Sequence, residues 1–435
     1  MRLVIVSLAA LIAATSPVSA ETLAESMVSA VESNPTLAAQ RQRLNATREA
    51  LPQALAAALP QISISAGASA SDRDSDNIAL EGDRGETWST NANVSQLLFG
   101  SGRVLASTRA ARAQIAGAVA DYELAQQTLL LDVTRAYADV RQAQAVVAAR
   151  ETTVSNLSRL LEYAQAQFDA GVVTRTDVAQ SQARFAQART QLVQAQGALA
   201  ASVQAYQRLV GRPPSNLIAP PPATGLPPDL GAALDLSVEN SPVLIGAQAD
   251  TRLADANVDS AAAQGRANVS LEAGYGMGAD FNDDTSETST DSVGVRVSIP
   301  LFQGGAIRSR TRAQRALRSA SNLDLASAQR NVQESVTNAW TGLASARAAV
   351  DSAREQVEAA ELAYEGVTLE QETGLRSTVE VLDQEADLLT ARLSLAQAER
   401  DLVVAERQML ASVGVLSVPT GGGVVLEQDD DLRGR

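Results

Sequence analysis

The side chains available for chemistry in this chain are carboxylates and guanidinium groups. The sequence has 50 acidic residues and 35 basic residues, and it contains no lysine, no cysteine and no histidine. A phosphate loop of the Walker type would lack its lysine, and histidine-based triads, thiolate or imidazole metal sites and disulfides are excluded. No spacing singles out two carboxylates as an acid and base pair. We therefore predict neither an enzyme nor a cofactor.

The overall charge argues against a second class of function. The formal net charge is −15 at pH 7 and the isoelectric point is near 4.6. A nucleic-acid-binding protein needs a basic surface to neutralise phosphates. We therefore do not expect a nucleic-acid partner.

Two short segments combine a glycine with cap-forming and acidic residues. These residues are Gly171 with Thr176 and Asp177, and Gly374 with Thr378 and Glu380. Each glycine fits the left-handed position that ends a helix. Each threonine and carboxylate is typical of the N-terminus of the next helix. Both segments are therefore predicted to be turns between two helices.

An apolar residue recurs at every seventh position on both sides of each turn. The first series is Val133, Val140, Val147, Val154, Leu161, Phe168, Val178, Phe185, Leu192, Leu199 and Tyr206. Adding 203 gives Val336, Leu343, Val350, Val357, Tyr364, Gln371, Val381, Leu388, Leu395, Leu402 and Met409, of which only Gln371 breaks the series. A heptad period kept in both copies predicts supercoiled helices rather than chance periodicity in an alanine-rich chain. We expect two helical hairpins, 103–210 and 305–413, in a duplicated chain.

Each half also contains two segments in which apolar and polar residues alternate. They lie near 61–71 and 87–98 in the first half and near 268–279 and 290–300 in the second. This length and alternation are typical of transmembrane barrel strands, although an ordinary soluble sheet is an alternative. Four strands cannot close a barrel, and open sheet edges are not tolerated in lipid. We therefore expect several copies of the chain to share one barrel.

The remaining segments complete the predicted order of the chain. Residues 1–20 have the features of a signal peptide, with an apolar run and a small-residue cleavage site before Glu21. A membrane anchor is the alternative, but the apolar run is too short to span a bilayer. The rest is predicted to form a first repeat at 21–210, a proline-rich linker at 211–228, a second repeat at 229–415 and a disordered acidic tail at 416–435.

These features resemble the TolC family of outer-membrane channel proteins. The resemblance covers nearly all of the chain after the signal peptide, and its motifs occur twice in the same order: an Asn-Pro or Ser-Pro helix start, two strands, a Leu-Phe strand exit and a glycine-containing hairpin turn. It implies a fold that is mainly α with membrane β, in which a homotrimer forms a twelve-stranded β-barrel continued by a long periplasmic α-helical barrel. It also implies two partners, a periplasmic adaptor (membrane fusion) protein and an inner-membrane transporter of the proton-driven or ATP-binding cassette type.

The resemblance further implies that the helical tips close the channel through acidic rings and hydrogen bonds. The matching positions in this sequence are Thr176, Asp177, Arg376, Glu380, Asp383 and Gln371. Glu380 stands where the family usually has an aspartate, and Gln371 stands where it has a tyrosine, which predicts a looser closed state. The alternative is that Asp177 and Glu380 only cap helices.

Three other groups of residues are candidates for a role, and the first two have an alternative interpretation each. The tip residues Gly171, Val172, Gly374 and Leu375 are candidates for contact with the adaptor, or they only form the turns. Arg308, Arg310, Arg312, Arg315 and Arg318 either meet phospholipid headgroups or form a solvated or ion-paired helix face. Glu272 and Arg296 lie on polar strand faces and are candidates for lining the lumen.

The sequence therefore predicts a passive outer-membrane export duct of a tripartite efflux pump or a type I secretion system, which opens at its tips on docking. One alternative is a secreted coiled-coil spacer, which would leave the four alternating segments unexplained. The other is the periplasmic adaptor itself, which would need one helical hairpin rather than two.

Overall fold

The structure is a computed structural model of the 435-residue chain, and it describes residues 20–72, 84–281 and 283–418. Residues 1–19 of the predicted signal peptide lie outside the described residues. Residues 419–435 of the predicted acidic tail also lie outside them, whereas Leu416 at the start of that tail is buried.

The two halves contain the same succession of short helices, two strands, one long helix and a shorter helix. The first half consists of α1 (Leu23–Ser33), α2 (Pro35–Arg48), α3 (Ala50–Ala56), β1 (Gln61–Asp72), β2 (Arg84–Phe99), α4 (Arg103–Asp169) and α5 (Arg175–Val210). The second consists of α6 (Leu230–Asn240), α7 (Pro242–Ala263), β3 (Asn268–Asp280), β4 (Asp283–Ser298), α8 (Ala306–Glu372) and α9 (Thr378–Ser412). The predicted internal duplication is confirmed.

The long helices α4 and α8 have 67 residues each. At a rise of about 1.5 Å per residue, each extends about 100 Å. No helix within residues 20–72, 84–281 and 283–418 is both long enough and apolar enough to cross a membrane.

The four strands form one antiparallel sheet in the order β1-β2-β3-β4. The register aligns Ile62 with Val94, Val94 with Ala273, and Ala273 with Val293, so one face of the sheet is apolar. The neighbouring row aligns Ser63, Asn93, Gly274 and Ser292 on the opposite face. The alternation predicted from the sequence therefore separates an apolar face from a polar one.

Glycines on β3 leave room for polar side chains on that second face. A Cβ atom at Gly276 would lie 2.8 Å from the amide oxygen of Asn91, so a larger residue would displace the asparagine. On the same face, the Arg296 Nε atom lies 2.7 Å from the Glu272 Oε1 atom. The two charged residues predicted for the polar strand faces are thus an ion pair.

The chain divides into two compact units, and each unit takes segments from both halves. The first contains the described residues up to Ala38, Ala125–Ser241 and the described residues from Gln333 onwards. Its buried residues include the heptad positions Val133, Val140, Val336 and Val350.

The second unit contains Ala39–Leu124 and Pro242–Val332, and it includes the sheet. Small residues allow α4 and α7 to approach closely there. A Cβ atom on Gly117 would lie 3.7 Å from the Ala249 side chain, and one on Gly246 would lie 3.7 Å from the Ala120 side chain. The high alanine content thus serves close helix packing rather than a core of bulky residues.

Candidate functional site at the helical turns

The turns after α4 and α8 have the same backbone structure. Gly171 has a φ of 75° and Gly374 a φ of 80°, which confirms the predicted left-handed conformation. In the second turn, the Gly374 N–H donates to the Gln371 carbonyl at 3.0 Å and the Leu375 N–H donates to the Glu370 carbonyl at 2.9 Å. The first turn has the corresponding pair of bonds at 2.9 and 2.8 Å. Both helices therefore end in a Schellman motif that only glycine adopts without strain.

The next helices begin with a capping box, but the capping residues differ from those predicted. Thr174 caps α5 and Ser377 caps α9, and in each case the acidic side chain three residues later accepts a hydrogen bond from the N–H of the capping residue. Thr176 and Thr378 already lie within the first turn of their helices. The N–H groups of Asp177 and Glu380 instead donate to the hydroxyls of Thr174 and Ser377, which lie just before the helices.

These hydrogen bonds favour the charged forms of the two acidic residues. The Thr174 hydroxyl and N–H donate to Asp177 and lower the pKa of its carboxyl group. The Ser377 N–H, the Arg376 guanidinium and the Ser377 hydroxyl lower the pKa of Glu380 to about 2. Both tips are therefore negatively charged at these positions throughout the physiological pH range.

Arg376 joins the end of α8 to the start of α9. Its Nε atom lies 2.8 Å from a Glu370 oxygen and its Nη1 atom lies 2.8 Å from a Glu380 oxygen. The position 203 residues earlier is Val173, which has no charge to form such a bridge. The two turns thus share a backbone but differ in electrostatics.

The other predicted gate residues have separate environments. Asp383 on α9 pairs with Arg184 on α5, with 3.3 Å between the Oδ1 and Nη2 atoms. Gln371 is buried with 6% of its surface exposed, whereas Thr176 is exposed. Of the six residues, the structure brings only Arg376 and Glu380 into direct contact through their side chains.

The predicted tip residues form the most open part of each turn. Val172 is 70% exposed and Leu375 is 77% exposed. A Cβ atom on Gly171 or Gly374 would have no neighbour within 4 Å. Each turn therefore presents one apolar side chain to its surroundings.

A buried carboxylate near the second turn is a residue that the sequence patterns do not predict. Glu385 on α9 is buried, and its Oε2 atom accepts a hydrogen bond of 3.0 Å from the Asn156 amide on α4. Burial raises the pKa of Tyr364 on α8 to about 12, and the charge of Glu385 and a hydrogen bond to it act in the same direction. Glu385 thus connects α9 to both long helices.

Some of the missed residues had a sequence signal and others had none. The patterns Thr-x-x-Asp at 174–177 and Ser-x-x-Glu at 377–380 are capping boxes that would have identified both caps. The position 203 residues before Glu385 is Gln182, so the repeat does not mark this carboxylate. Its role depends on which helices are neighbours, which the heptad pattern does not specify.

Comparison with protein families identifies a match in each half of the chain. The model of the family described as "Outer membrane efflux protein" matches residues 27–212 and 233–415. These two matches contain both long hairpins and all four strands.

Similar proteins include outer-membrane proteins of Gram-negative bacteria. The chain is 28% identical to the outer membrane protein TolC of Vibrio cholerae, across 86% of this chain and 86% of that protein. It is 27% identical to the outer membrane efflux protein BepC of Brucella suis, across 84% of this chain and 79% of that protein.

Solved structures share the fold at lower sequence identity. The CmeC outer membrane channel of Campylobacter jejuni has a TM-score of 0.81 at 15% identity, with 92% of this chain and 86% of that chain covered. The outer membrane protein VceC of Vibrio cholerae has a TM-score of 0.76 at 20% identity, with 90% and 96% covered. The duplicated hairpins, the four-stranded sheet and the family match across most of the sequence together show that this chain is a member of the outer membrane efflux protein family.

Proposed function

We propose that three copies of this chain close their sheets into one twelve-stranded barrel and form a passive export duct with a gate at the helical turns. The observation that supports this proposal is the open sheet with an exposed apolar face. Val293, Val295 and Val297 on β4 are 81%, 61% and 60% exposed, and β1 and β4 have a strand neighbour on one side only among the described residues.

Membership of the family establishes that the protein is an outer-membrane protein and not an enzyme, as the sequence predicted. The relatives that it matches include the outer membrane efflux protein BepC of Brucella suis and the alkaline protease secretion protein AprF of Pseudomonas aeruginosa. The protein is therefore an export channel.

Closure of the sheet sets a lower limit on the number of copies. Every backbone N–H and C=O group in a membrane sheet must be paired, so the edges β1 and β4 must meet partners. The smallest barrels have about eight strands, and a barrel with a water-filled lumen needs more. Three copies with four strands each satisfy both conditions.

The long helices supply a second argument for several copies. Leu362 and Leu369 on α8 lie one heptad apart and are 73% and 64% exposed in the single chain. Apolar residues at this spacing pack against a neighbouring helix in a coiled coil. A second copy would bury them.

We propose that the turns form the gate. Threefold symmetry would bring three copies of Asp177 and Glu380 near one axis and concentrate negative charge there. Arg376 holds Glu370 and Glu380 together and so keeps the second turn attached to its own hairpin. To open the gate, these two ion pairs and the contact of Asp383 with Arg184 would have to break and be replaced by other contacts.

We propose that the turns are also the docking surface for the partners. Val172 and Leu375 are exposed apolar side chains that a periplasmic adaptor would cover. The adaptor would connect the duct to an inner-membrane transporter, either proton-driven or of the ATP-binding cassette type. Energy for export would come from that transporter.

The gate is tested by the conductance of the purified protein in planar bilayers. Because Arg376→Ala removes both of its exposed ion pairs, we expect a roughly two- to fivefold rise in mean conductance. Arg354→Ala is the matched control, since it removes one arginine from α8 outside the turn, where the contact with Glu399 is a long 3.9 Å. If both Arg376→Ala and Asp177→Ala left the conductance unchanged, the proposal that the turns form the gate would be rejected. If the wild-type protein were absent from the outer-membrane fraction, the proposal of an export duct would be rejected.

A further inference from the structure

The starts of the two long helices are positively charged although the chain as a whole is acidic. Between Asp291 and Asp324 the sequence has six arginines and no acidic residue, and between Glu86 and Asp121 it has three arginines and no acidic residue. Each stretch contains the end of a strand and the beginning of the helix that follows it. Positive charge is therefore concentrated at the end of the sheet where the helices begin.

Two of the arginines on α8 have partners on or next to α7. The Arg310 Nη1 atom lies 3.2 Å from the Gln264 Oε1 atom, and the Arg318 Nη1 atom lies 3.7 Å from the Asp255 Oδ1 atom. These contacts identify the side of α8 that faces α7.

Three other arginines lie together on a different side of α8. They occupy positions i, i+4 and i+7 of the helix, which are Arg308, Arg312 and Arg315. These positions fall within about 60° around the helix axis, roughly opposite Arg310, and they span about 10 Å along the axis. All three are exposed. Within residues 20–72, 84–281 and 283–418, none of them forms an ion pair. We call these three residues the arginine stripe.

A strongly exposed apolar segment precedes the arginine stripe. Ile299 is 56% exposed, Leu301 is 91% exposed and Phe302 is 87% exposed. The chain thus passes from apolar side chains to guanidinium groups within a few residues. A bilayer presents hydrocarbon and then phosphate in the same order.

We propose that the arginine stripe binds the phosphate groups of anionic phospholipids at the periplasmic surface of the outer membrane. Guanidinium groups donate paired hydrogen bonds to phosphate oxygens, and clustered basic side chains beside a membrane attract anionic lipid. This inference rests on the proposed insertion of the sheet into the membrane.

A neighbouring copy is a poorer partner for the stripe than a lipid. The edge strand β4 would meet β1 of the next copy. The helices α2 and α3 come before β1, and this segment is net positive, since Arg43 and Arg48 lie on α2 with only Glu49 as an acidic neighbour between Glu32 and Asp72. Among the described residues, the buried Arg48 Nη2 atom has no hydrogen-bond partner. Closing the barrel would thus bring positive charge from both sides, and an anion between them would relieve the repulsion.

The test measures lipid retention by the full-length protein. Wild type and variants are reconstituted in phosphatidylcholine vesicles with and without phosphatidylglycerol and extracted with detergent, and bound lipid is counted by native mass spectrometry. Arg308→Gln/Arg312→Gln/Arg315→Gln removes the stripe, and Arg310→Gln/Arg318→Gln/Arg330→Gln removes the same charge elsewhere on α8. We expect the stripe variant to retain about tenfold less phosphatidylglycerol than wild type, and the control variant to stay within about twofold of it.

Several outcomes would overturn the inference. Equal retention by wild type and the stripe variant would do so, as would equal loss in both triple variants. A stripe variant that keeps its lipid but dissociates into single chains would instead assign the stripe to a contact between copies. Insertion is scored separately by vesicle flotation, and wild-type protein that fails to insert would overturn the proposed function together with this inference.

Discussion

Glu21 is a charged residue that is almost completely buried. Its carboxylate accepts hydrogen bonds from the Tyr206 hydroxyl at 2.6 Å and the Ser215 N–H at 2.8 Å, and it pairs with Arg212 at 2.8 Å. Its backbone carbonyl accepts a hydrogen bond of 2.8 Å from Tyr137. One residue thus attaches the segment before α1 to α4, to α5 and to the segment that connects the two halves.

Glu21→Gln is expected to destabilise the protein by about 1–3 kcal/mol, because it leaves buried donors without their charged acceptor. The measurement is the midpoint of denaturant unfolding in detergent. Glu32→Gln on α1 is the matched control, since Glu32 is exposed and its substitution should leave the midpoint unchanged.

The stability difference between wild type and Glu21→Gln should also depend on pH. Burial alone would raise the pKa of Glu21, but the hydrogen bonds from Tyr206 and Ser215 and the charge of Arg212 outweigh it, so the pKa falls below its ordinary value of 4.5. A carboxylate with a lowered pKa stabilises the folded state above pH 4.5, and this contribution is lost as the pH falls through the folded-state value. The stability difference between wild type and Glu21→Gln should therefore narrow below pH 4.5, and a difference that widened there would contradict the assignment.

The helices show which contacts the sequence could predict. Heptad positions such as Val140 and Val336 are fully buried, whereas Phe168 at the end of the same series is 39% exposed because the turn begins beside it. The heptad period therefore predicts burial correctly for these positions inside a helix but not for Phe168 at its end. It does not say which helices are neighbours, so the contacts of Arg184 with Asp383 and of Asn156 with Glu385 could not be predicted.

The turn glycines are tested by Gly374→Ala. No atom would obstruct the new methyl group, so the cost is the left-handed backbone itself, about 1–2 kcal/mol. Gly366→Ala in the interior of α8 has equally open space and should instead stabilise the helix by about 1 kcal/mol. Hydrogen exchange of the amides in 366–380 should become faster in Gly374→Ala and slower in Gly366→Ala. A change in the same direction in both variants would contradict this expectation.

Because the chain has no cysteine, a single introduced cysteine can be cross-linked without background. Val172→Cys and Leu375→Cys place a thiol at the exposed turns and are expected to capture a periplasmic adaptor protein expressed with the duct. Leu323→Cys is the control, since Leu323 is 72% exposed on α8 but distant in sequence from both turns. Capture of the adaptor by the control and not by the turn variants would contradict docking at the tips.

The assembly depends on surfaces that a single chain leaves open. Alternation predicted four strands of one sheet, and the register confirms that their apolar residues share a face. Neither the alternation nor the register gives the number of copies, because the edges of one sheet do not show how far its curvature continues. Barrel closure sets only a minimum, so the proposed count of three requires a direct measurement.

That measurement is disulfide cross-linking between the two edge strands. Each cysteine pair places one cysteine on β1, at Ser63 or Ser65, and one on β4, at Ser292 or Gly294. All four positions lie on the polar face of the sheet. Within one chain β1 and β4 are about 14 Å apart, which is too far for a disulfide. Every bond formed must therefore join two copies, and chains with only one of the cysteines serve as controls. For at least one pair, we expect a ladder of one, two and three linked chains that ends at three. A ladder that continues beyond three, or membrane-inserted protein that stays a single chain for every pair, would contradict it.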